Sequence, residues 1–378
     1  MAAVAAQRVP NDPRPVEDPT LELIAVLRAK SYYLPNLSLQ FKEWPDAISP
    51  HYPLLKIALD ARINELYPPE RAANLIKGDY GLCSSLWWPR ATLERLETCT
   101  FWFLWLFTWD DEIDRSTSDL FLNLPDADKF RDESYHFLRY SLGVPTEETD
   151  KWRFDKSPPS RVLIRSCDVM AEKLRQAYNQ DQVMAFVDAM GHYMGCQQSE
   201  QQNKLMGKLP IPEQYWETRL GTSAVLTMIA LNEYADGQSI PRWIMDHEHM
   251  SAIWHESNLH VSMLNDLFSL KKEIQHGDVY SIVPVLMHHR GLTAQEAIAN
   301  TYIESGKGLS RFEAAAEALL KLVKEREPGQ WEEVDKYITG CRYELTGHCI
   351  WSVVSGRYGL GNMPRDEQGG ITVDPTAA

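Results

Sequence analysis

The sequence predicts an all-α fold, and three observations carry that expectation. Apolar residues recur at helical spacing from about residue 50 to residue 360. Alternating strand patterns bounded by tight turns are scarce. No linker rich in Pro, Gly or Asp interrupts the middle of the 378-residue chain. Its length admits two domains, but the uninterrupted middle favours one helical domain over residues 21–361.

In chain order, residues 1–20 are small, polar and proline-bearing, without an apolar stretch of signal-peptide type. They are expected to form a mobile tail, and the protein is expected in the reducing cytoplasm. Helical patterns follow at Ala91–Trp109, Arg161–Lys204, Glu213–Tyr234 and Ser251–Glu273. Asp236-Gly237 joins two helical segments rather than two strands. Thr293…Glu296 and Ser310…Glu313 both read as capping boxes opening helices, and Pro328-Gly329 as a stop. Residues 362–378, short of large apolar side chains, are expected to form a second mobile tail.

Composition excludes several classes of function. Hydrophobic residues make up 44% and charged residues 24% of the chain, the balance of an ordinary globular protein. The 38 basic and 53 acidic residues give a formal charge of −15, which disfavours nucleic acid as a partner. An anionic substrate would need concentrated cations or bridging metal ions. None of the six cysteines forms a CxxC pair, so zinc and thioredoxin-type sites lack support. The longest greasy run, Cys99–Trp109, is about half a bilayer span and leads straight into an acidic cluster, so membrane insertion is not expected. Oligomeric state is not legible, and a homo-oligomer is compatible with the sequence.

Two polar constellations carry chemistry. Asp110-Asp111-Glu112-Ile113-Asp114 follows an aromatic run from Phe101 to Phe107. Asp110 and Asp114 are one helical turn apart and share a face, where like charges repel unless cations intervene. Alone, such a cluster also reads as a solvated helix end, but the aromatic approach turns this face inward. Carboxylate oxygens in this arrangement suit Mg²⁺, which shares its remaining positions with phosphate and water. Asn265, Ser269 and Glu273 lie at i, i+4 and i+8, projecting an amide, a hydroxyl and a carboxylate along one stripe. All three offer oxygen to a divalent cation. Arg219, Lys272, Arg357 and Tyr358 add donors suited to a diphosphate, although separately each reads as a surface group.

On these motifs the chain resembles the class I terpene cyclases, of the single-domain kind found among fungal and bacterial sesquiterpene synthases. Asp110-Asp111-x-x-Asp114 is similar to the family's aspartate-rich motif. Asn265-Asp266-x-x-Ser269-x-x-x-Glu273 is similar to its second metal motif, with Lys272 at a diphosphate-binding position. Arg357-Tyr358 matches its C-terminal Arg-Tyr pair, and Arg219 stands where the family places a diphosphate-sensing arginine. Thr222 and Ser223 occupy positions where the family often has an acid followed by Gly. The resemblance implies an antiparallel helical bundle around a deep apolar cavity. It also implies three Mg²⁺ ions, held by Asp110, Asp111 and Asp114 on one side and by Asn265, Ser269 and Glu273 on the other. The implied reaction is Mg²⁺-dependent ionisation of farnesyl diphosphate and carbocation cyclisation to a sesquiterpene hydrocarbon or alcohol.

A carbocation needs walls that steady it without attacking it, which aromatic faces provide. Phe103 and Phe107 precede Asp110 by about two turns and one turn on its helical face, and the resemblance adds Trp351. A longer prenyl diphosphate is an alternative substrate. A chain-elongating prenyltransferase of the same fold would carry a second aspartate-rich motif where this chain has Asn, Ser and Glu. A helical di-iron oxidoreductase needs two Glu-x-x-His pairs, of which only Glu133…His136 is present. An inactive scaffold would have no need to retain the full ligand set. His255-Glu256 with His260 is not HExxH, the C-terminal glycines lack the dinucleotide spacing, and there is no Walker A sequence or nucleophile elbow.

Overall fold

The structure, a computed structural model, describes residues 19–114, 118–144 and 154–376. The expected tail over residues 1–20 therefore lies almost wholly outside the described residues. Of it, Thr20 opens the first helix.

The architecture is all-α, as the sequence predicts. The helices, in chain order, begin with α1 (Thr20–Arg28), α2 (Tyr52–Leu66), α3 (Pro69–Gly78) and α4 (Tyr80–Trp87). They continue with α5 (Leu93–Asp114), α6 (Leu124–Ser141), α7 (Val162–Arg165), α8 (Asp168–Ala177) and α9 (Gln180–Leu205). Next come α10 (Pro212–Thr222), α11 (Val225–Ile229), α12 (Asn232–Asp236) and α13 (Arg242–Met245). The last four are α14 (Glu248–His276), α15 (Ile282–Arg290), α16 (Ala294–Arg326) and α17 (Trp331–Val354). No helix among the described residues is long and apolar enough to cross a membrane.

Helix α5 is central because its sequence is apolar almost all round. Trp102, Phe103, Leu104, Trp105 and Leu106 are all buried, and only Phe101 of the run emerges, as expected of a helix surrounded by others. Trp102 stacks on Trp105 at 4.8 Å and Trp105 on Trp109 at 6.1 Å. Helix α14 packs most extensively on α16, and α17 packs on both α4 and α14. Gly347 lets α17 meet α4 closely: a Cβ there would lie 2.9 Å from the Leu86 backbone.

Local signals succeed or fail with their tertiary context. Thr293 and Glu296 form the expected capping box at the start of α16. Ser310…Glu313 does not. Ser310 sits inside uninterrupted α16 and bonds back to the Gly306 carbonyl. Packing on α14 carries the helix across Gly306-Lys307-Gly308, and it stops at Arg326, before Pro328. The Arg161–Lys204 and Glu213–Tyr234 patterns are each broken into three helices. In the second, Ala224 takes a left-handed conformation (φ +59°), rare for a residue with a Cβ. Ser223 Oγ accepts the Val225 N–H across that break.

The C-terminal segment differs from expectation. Residues 371–373 form strand β2 (Ile371–Val373), paired antiparallel with β1 (Tyr32–Leu34) in the register Tyr32↔Val373 and Leu34↔Ile371. Val373 is fully buried and Ile371 nearly so. The Gly and Asp content that reads as a tail instead builds the turn before β2. Gly369 has φ +83°, and Asp366 accepts from the Gln368 and Gly370 amides and from the Tyr33 hydroxyl.

Val373→Asp should lower the melting temperature by several degrees through burial of a charge while leaving helical circular dichroism intact; an unchanged melting point would detach β2 from the core. A second expectation concerns His260, buried in α14 against Phe41. Burial holds its imidazole down to a pKa of about 4. The unfolded chain then binds a proton that the folded one refuses, so stability is lost as pH falls from about 6.5 toward about 4. The stability advantage of the parent over His260→Gln should narrow across that window by up to about 3 kcal/mol. A constant difference in denaturant midpoints would show that the ring is not held neutral.

Candidate active site

One cavity receives side chains from both polar motifs. Helix α5 contributes Phe103, Phe107 and Asp110, α14 contributes Asn265, and α10 contributes Arg219. Trp351 from α17 and Arg357 just beyond it complete the set. Including its open mouth, the cavity holds about 760 Å³ of empty space. Seven of the residues singled out from sequence therefore share one chamber. Asp111, Asp114, Ser269, Lys272, Glu273 and Tyr358 do not line it.

Helix geometry explains the aromatic wall. Phe103 and Phe107, one turn apart, stack with centroids 6.2 Å apart. Phe107 lies 6.2 Å from Trp351 and 4.8 Å from Tyr80. Trp351 is fixed by its indole N–H, which donates to the Gly78 and Asp79 carbonyls. The Arg357 guanidinium sits over Phe107, 4.4 Å from the ring centroid, and donates to the Tyr80 hydroxyl at 2.9 Å. Gly356 permits this placement: its N–H donates to the Lys77 carbonyl, and a Cβ there would lie 2.3 Å from Lys77 Cγ.

Asn265 is held at both ends of its amide. Its Oδ1 accepts from Arg219 at 2.9 Å, and its Nδ2 donates to the Tyr358 hydroxyl at 2.8 Å. Arg219 is itself clamped by Asp266 through an Nε–Oδ1 contact of 3.0 Å. Asp266 also accepts from the Tyr215 hydroxyl and the Ile282 amide. Ser269 Oγ donates to Glu273 Oε1 at 2.5 Å, while the buried Glu273 Oε2 has no hydrogen-bond partner.

On α5 the acids diverge. Asp110 accepts from the Tyr193 hydroxyl at 2.9 Å and from the Gln197 amide. Asp114 turns to Lys204, which also meets Glu200 and Asp278. Among the described residues, no three His, Cys, Asp or Glu side chains converge on one metal position.

The electrostatics show what the chamber lacks. Burial, and then Asp114, push the Asp110 carboxyl well above the ordinary range. Burial raises Glu273 to a pKa of about 7 and Asp114 to about 6. Lys272 is depressed to about 8, first by the Arg357 charge and then by burial. Asp114 crowds Asp110 and Arg357 crowds Lys272, two repulsions that opposite charges entering from outside would relieve. The donor set fits a hard divalent cation: the Asn265, Ser269 and Glu273 oxygens follow one stripe, and Glu273 Oε2 is an orphaned buried acceptor.

Sequence reading passed over Asp266, Tyr193, Gln197 and Tyr80. Asp266 was visible inside the second motif, but a helix places i+1 off the stripe on which motif spacing was judged. Tyr193 and Gln197, at i and i+4, give a faint periodic signal. Tyr80 gives none.

Comparison with known proteins identifies the family. Residues 102–302 match the family model "Terpene synthase family 2, C-terminal metal binding". The chain is 52% identical to the sesquiterpene cyclase hepA of Aspergillus oryzae over 97% of this chain and 98% of that protein. It is 24% identical to the silphinene synthase peniA of Penicillium patulum over 89% and 88% of the two chains. Among solved structures it resembles an α-eudesmol synthase with a TM-score of 0.70 at 16% identity, covering 82% of this chain and 97% of that one. On the family match and the full-length relative, the chain belongs to the terpene synthase family.

Proposed function

We propose that this chain ionises a prenyl diphosphate, farnesyl diphosphate in the first instance, and cyclises the carbocation to a sesquiterpene hydrocarbon or alcohol. The observation that carries this reading is one cavity walled by Asp110 and Asn265 together with Arg219, Arg357 and three aromatic rings. The name of the 52% identical relative, a sesquiterpene cyclase, supports the fifteen-carbon substrate. A cytoplasmic location accords with six unpaired cysteines.

The metal would be Mg²⁺, in three ions, held by Asp110, Asp111 and Asp114 and by Asn265, Ser269 and Glu273. Asp114 would exchange its Lys204 partner to take part. When bound, Mg²⁺ supplies Lewis-acid neutralisation of the leaving diphosphate. Arg219, Lys272, Arg357 and Tyr358 donate hydrogen bonds that strengthen as negative charge gathers on the departing group. Lys272, though depressed by its cationic neighbour, stays mainly protonated at neutral pH, and an arriving anion would hold that proton more firmly. Phe103, Phe107 and Trp351 present ring faces that steady positive charge on the hydrocarbon without offering a nucleophile. Phe103 and Trp351 are buried and Phe107 partly so, which limits the water that reaches it.

Asn265→Ala or Glu273→Ala should lower diphosphate release from farnesyl diphosphate by at least about 10²-fold, with helical content unchanged. EDTA should abolish turnover and added Mg²⁺ should restore it. Normal rates in either variant would overturn the assignment. Phe107→Ala should change the product mixture seen by gas chromatography–mass spectrometry or lower the rate; an unaltered profile at the parent's rate would remove Phe107 from the wall.

A further inference from the structure

His348 lines the same cavity as Phe103, Phe107 and Trp351, and nothing in the ionisation step uses it. The side chain, on α17, is only 5% exposed. Its ring lies between indoles, 6.1 Å from Trp87 and 5.9 Å from Trp351. Among the described residues its one hydrogen-bond contact is Ser352 Oγ, 3.5 Å from Nε2. Burial, and then the neighbouring His260 and the Arg219 and Arg357 guanidinium charges, hold its pKa down to about 3. The ring is therefore neutral when substrate enters, and a neutral imidazole keeps one nitrogen lone pair free to accept a proton.

The other polar groups on the walls are committed or weakly basic: Asp110 accepts from Tyr193 and Gln197 and belongs to the proposed metal-ligand set, and the unpartnered Thr222 hydroxyl is a weak base. Tyr193 donates to Asp110, and Ser223 and Ser262 donate to Asn258. Both ends of the Asn265 amide are occupied. A cyclic cation that is to leave as a hydrocarbon must lose a proton to some base before the chamber opens.

We infer that His348 is the proton acceptor that ends the carbocation sequence. The C–H bond beside the cationic carbon breaks, and its electron pair becomes the carbon–carbon double bond of the product. The proton passes to the free ring nitrogen and forms an imidazolium. Being costly in so buried a place, the imidazolium gives the proton up to the released diphosphate as the products depart. No oxidant or reductant is needed. The inference rests on the cyclase reading above and adds the residue that sets where the alkene forms.

The experiment incubates the parent, His348→Ala and His348→Phe with farnesyl diphosphate and Mg²⁺. Inorganic diphosphate and the hydrocarbon profile are measured together. In both variants diphosphate release should persist. The parental principal alkene should lose at least about tenfold in share, the lower side of what a positioned base contributes. Alcohols and alkenes from other proton losses should replace it. Imidazole added to His348→Ala should return the profile toward the parent's, which a change of cavity shape alone would not allow. Parental product ratios in His348→Phe would overturn the inference, as would an altered His348→Ala profile that imidazole leaves unmoved. If His348→Ala fails to fold, His348→Gln, which keeps a polar side chain but no imidazole, carries the same comparison. No diphosphate release from the parent with any prenyl diphosphate would instead sink the cyclase reading itself.

Discussion

The Arg219–Asp266 pair is the constraint on which the mouth of the cavity depends. It joins α10 to α14 through buried groups, and a buried charge is tolerated only when paired and hydrogen-bonded. Asp266 accepts from Arg219, Tyr215 and the Ile282 amide, so it fixes three elements at once. Arg219 then reaches Asn265, and Asn265 reaches Tyr358. A continuous polar chain thus runs from Arg219 through Asn265 to Tyr358. Loss of any member strands the next, the behaviour expected of a buried network.

Beneath that mouth the chemistry changes character. Trp87, Phe103, Phe107 and Trp351 enclose space rather than fill it. The charged groups Asp110, Arg219 and Arg357 share this cavity with those rings. On the proposed reading, a leaving anion and a transient cation would meet polar groups and aromatic faces of one chamber. Such placement is what pre-organised electrostatics contributes to a reaction that splits one molecule into two charges.

How much of this was legible follows from the range of each signal. The i, i+4, i+8 stripe of Asn265, Ser269 and Glu273 is a property of one helix, so sequence revealed it. Phe103 and Phe107 relative to Asp110 were readable for the same reason. Asp266, Tyr193 and Tyr80 matter through partners on other helices, which a one-dimensional pattern does not contain. The break at Ala224 was hidden because alanine is a good helix former and tertiary contacts imposed its conformation. β2 was hidden because three residues, Ile371–Val373, make no periodicity without their partner strand. Ser310…Glu313 shows the converse error, a sound local capping motif overridden by packing on α14.

The guanidinium resting on Phe107 has a consequence for timing. An aromatic ring has two electron-rich faces, and Arg357 covers one of those of Phe107. A second positive species cannot share it without repulsion. An arriving polyanion gives Arg357 a stronger partner than a ring, since charge-assisted hydrogen bonds outweigh a cation–π contact. On the proposed reading, capture of the head group would draw Arg357 off that face, so the ring would be bare for a hydrocarbon cation only after its counter-ion is secured.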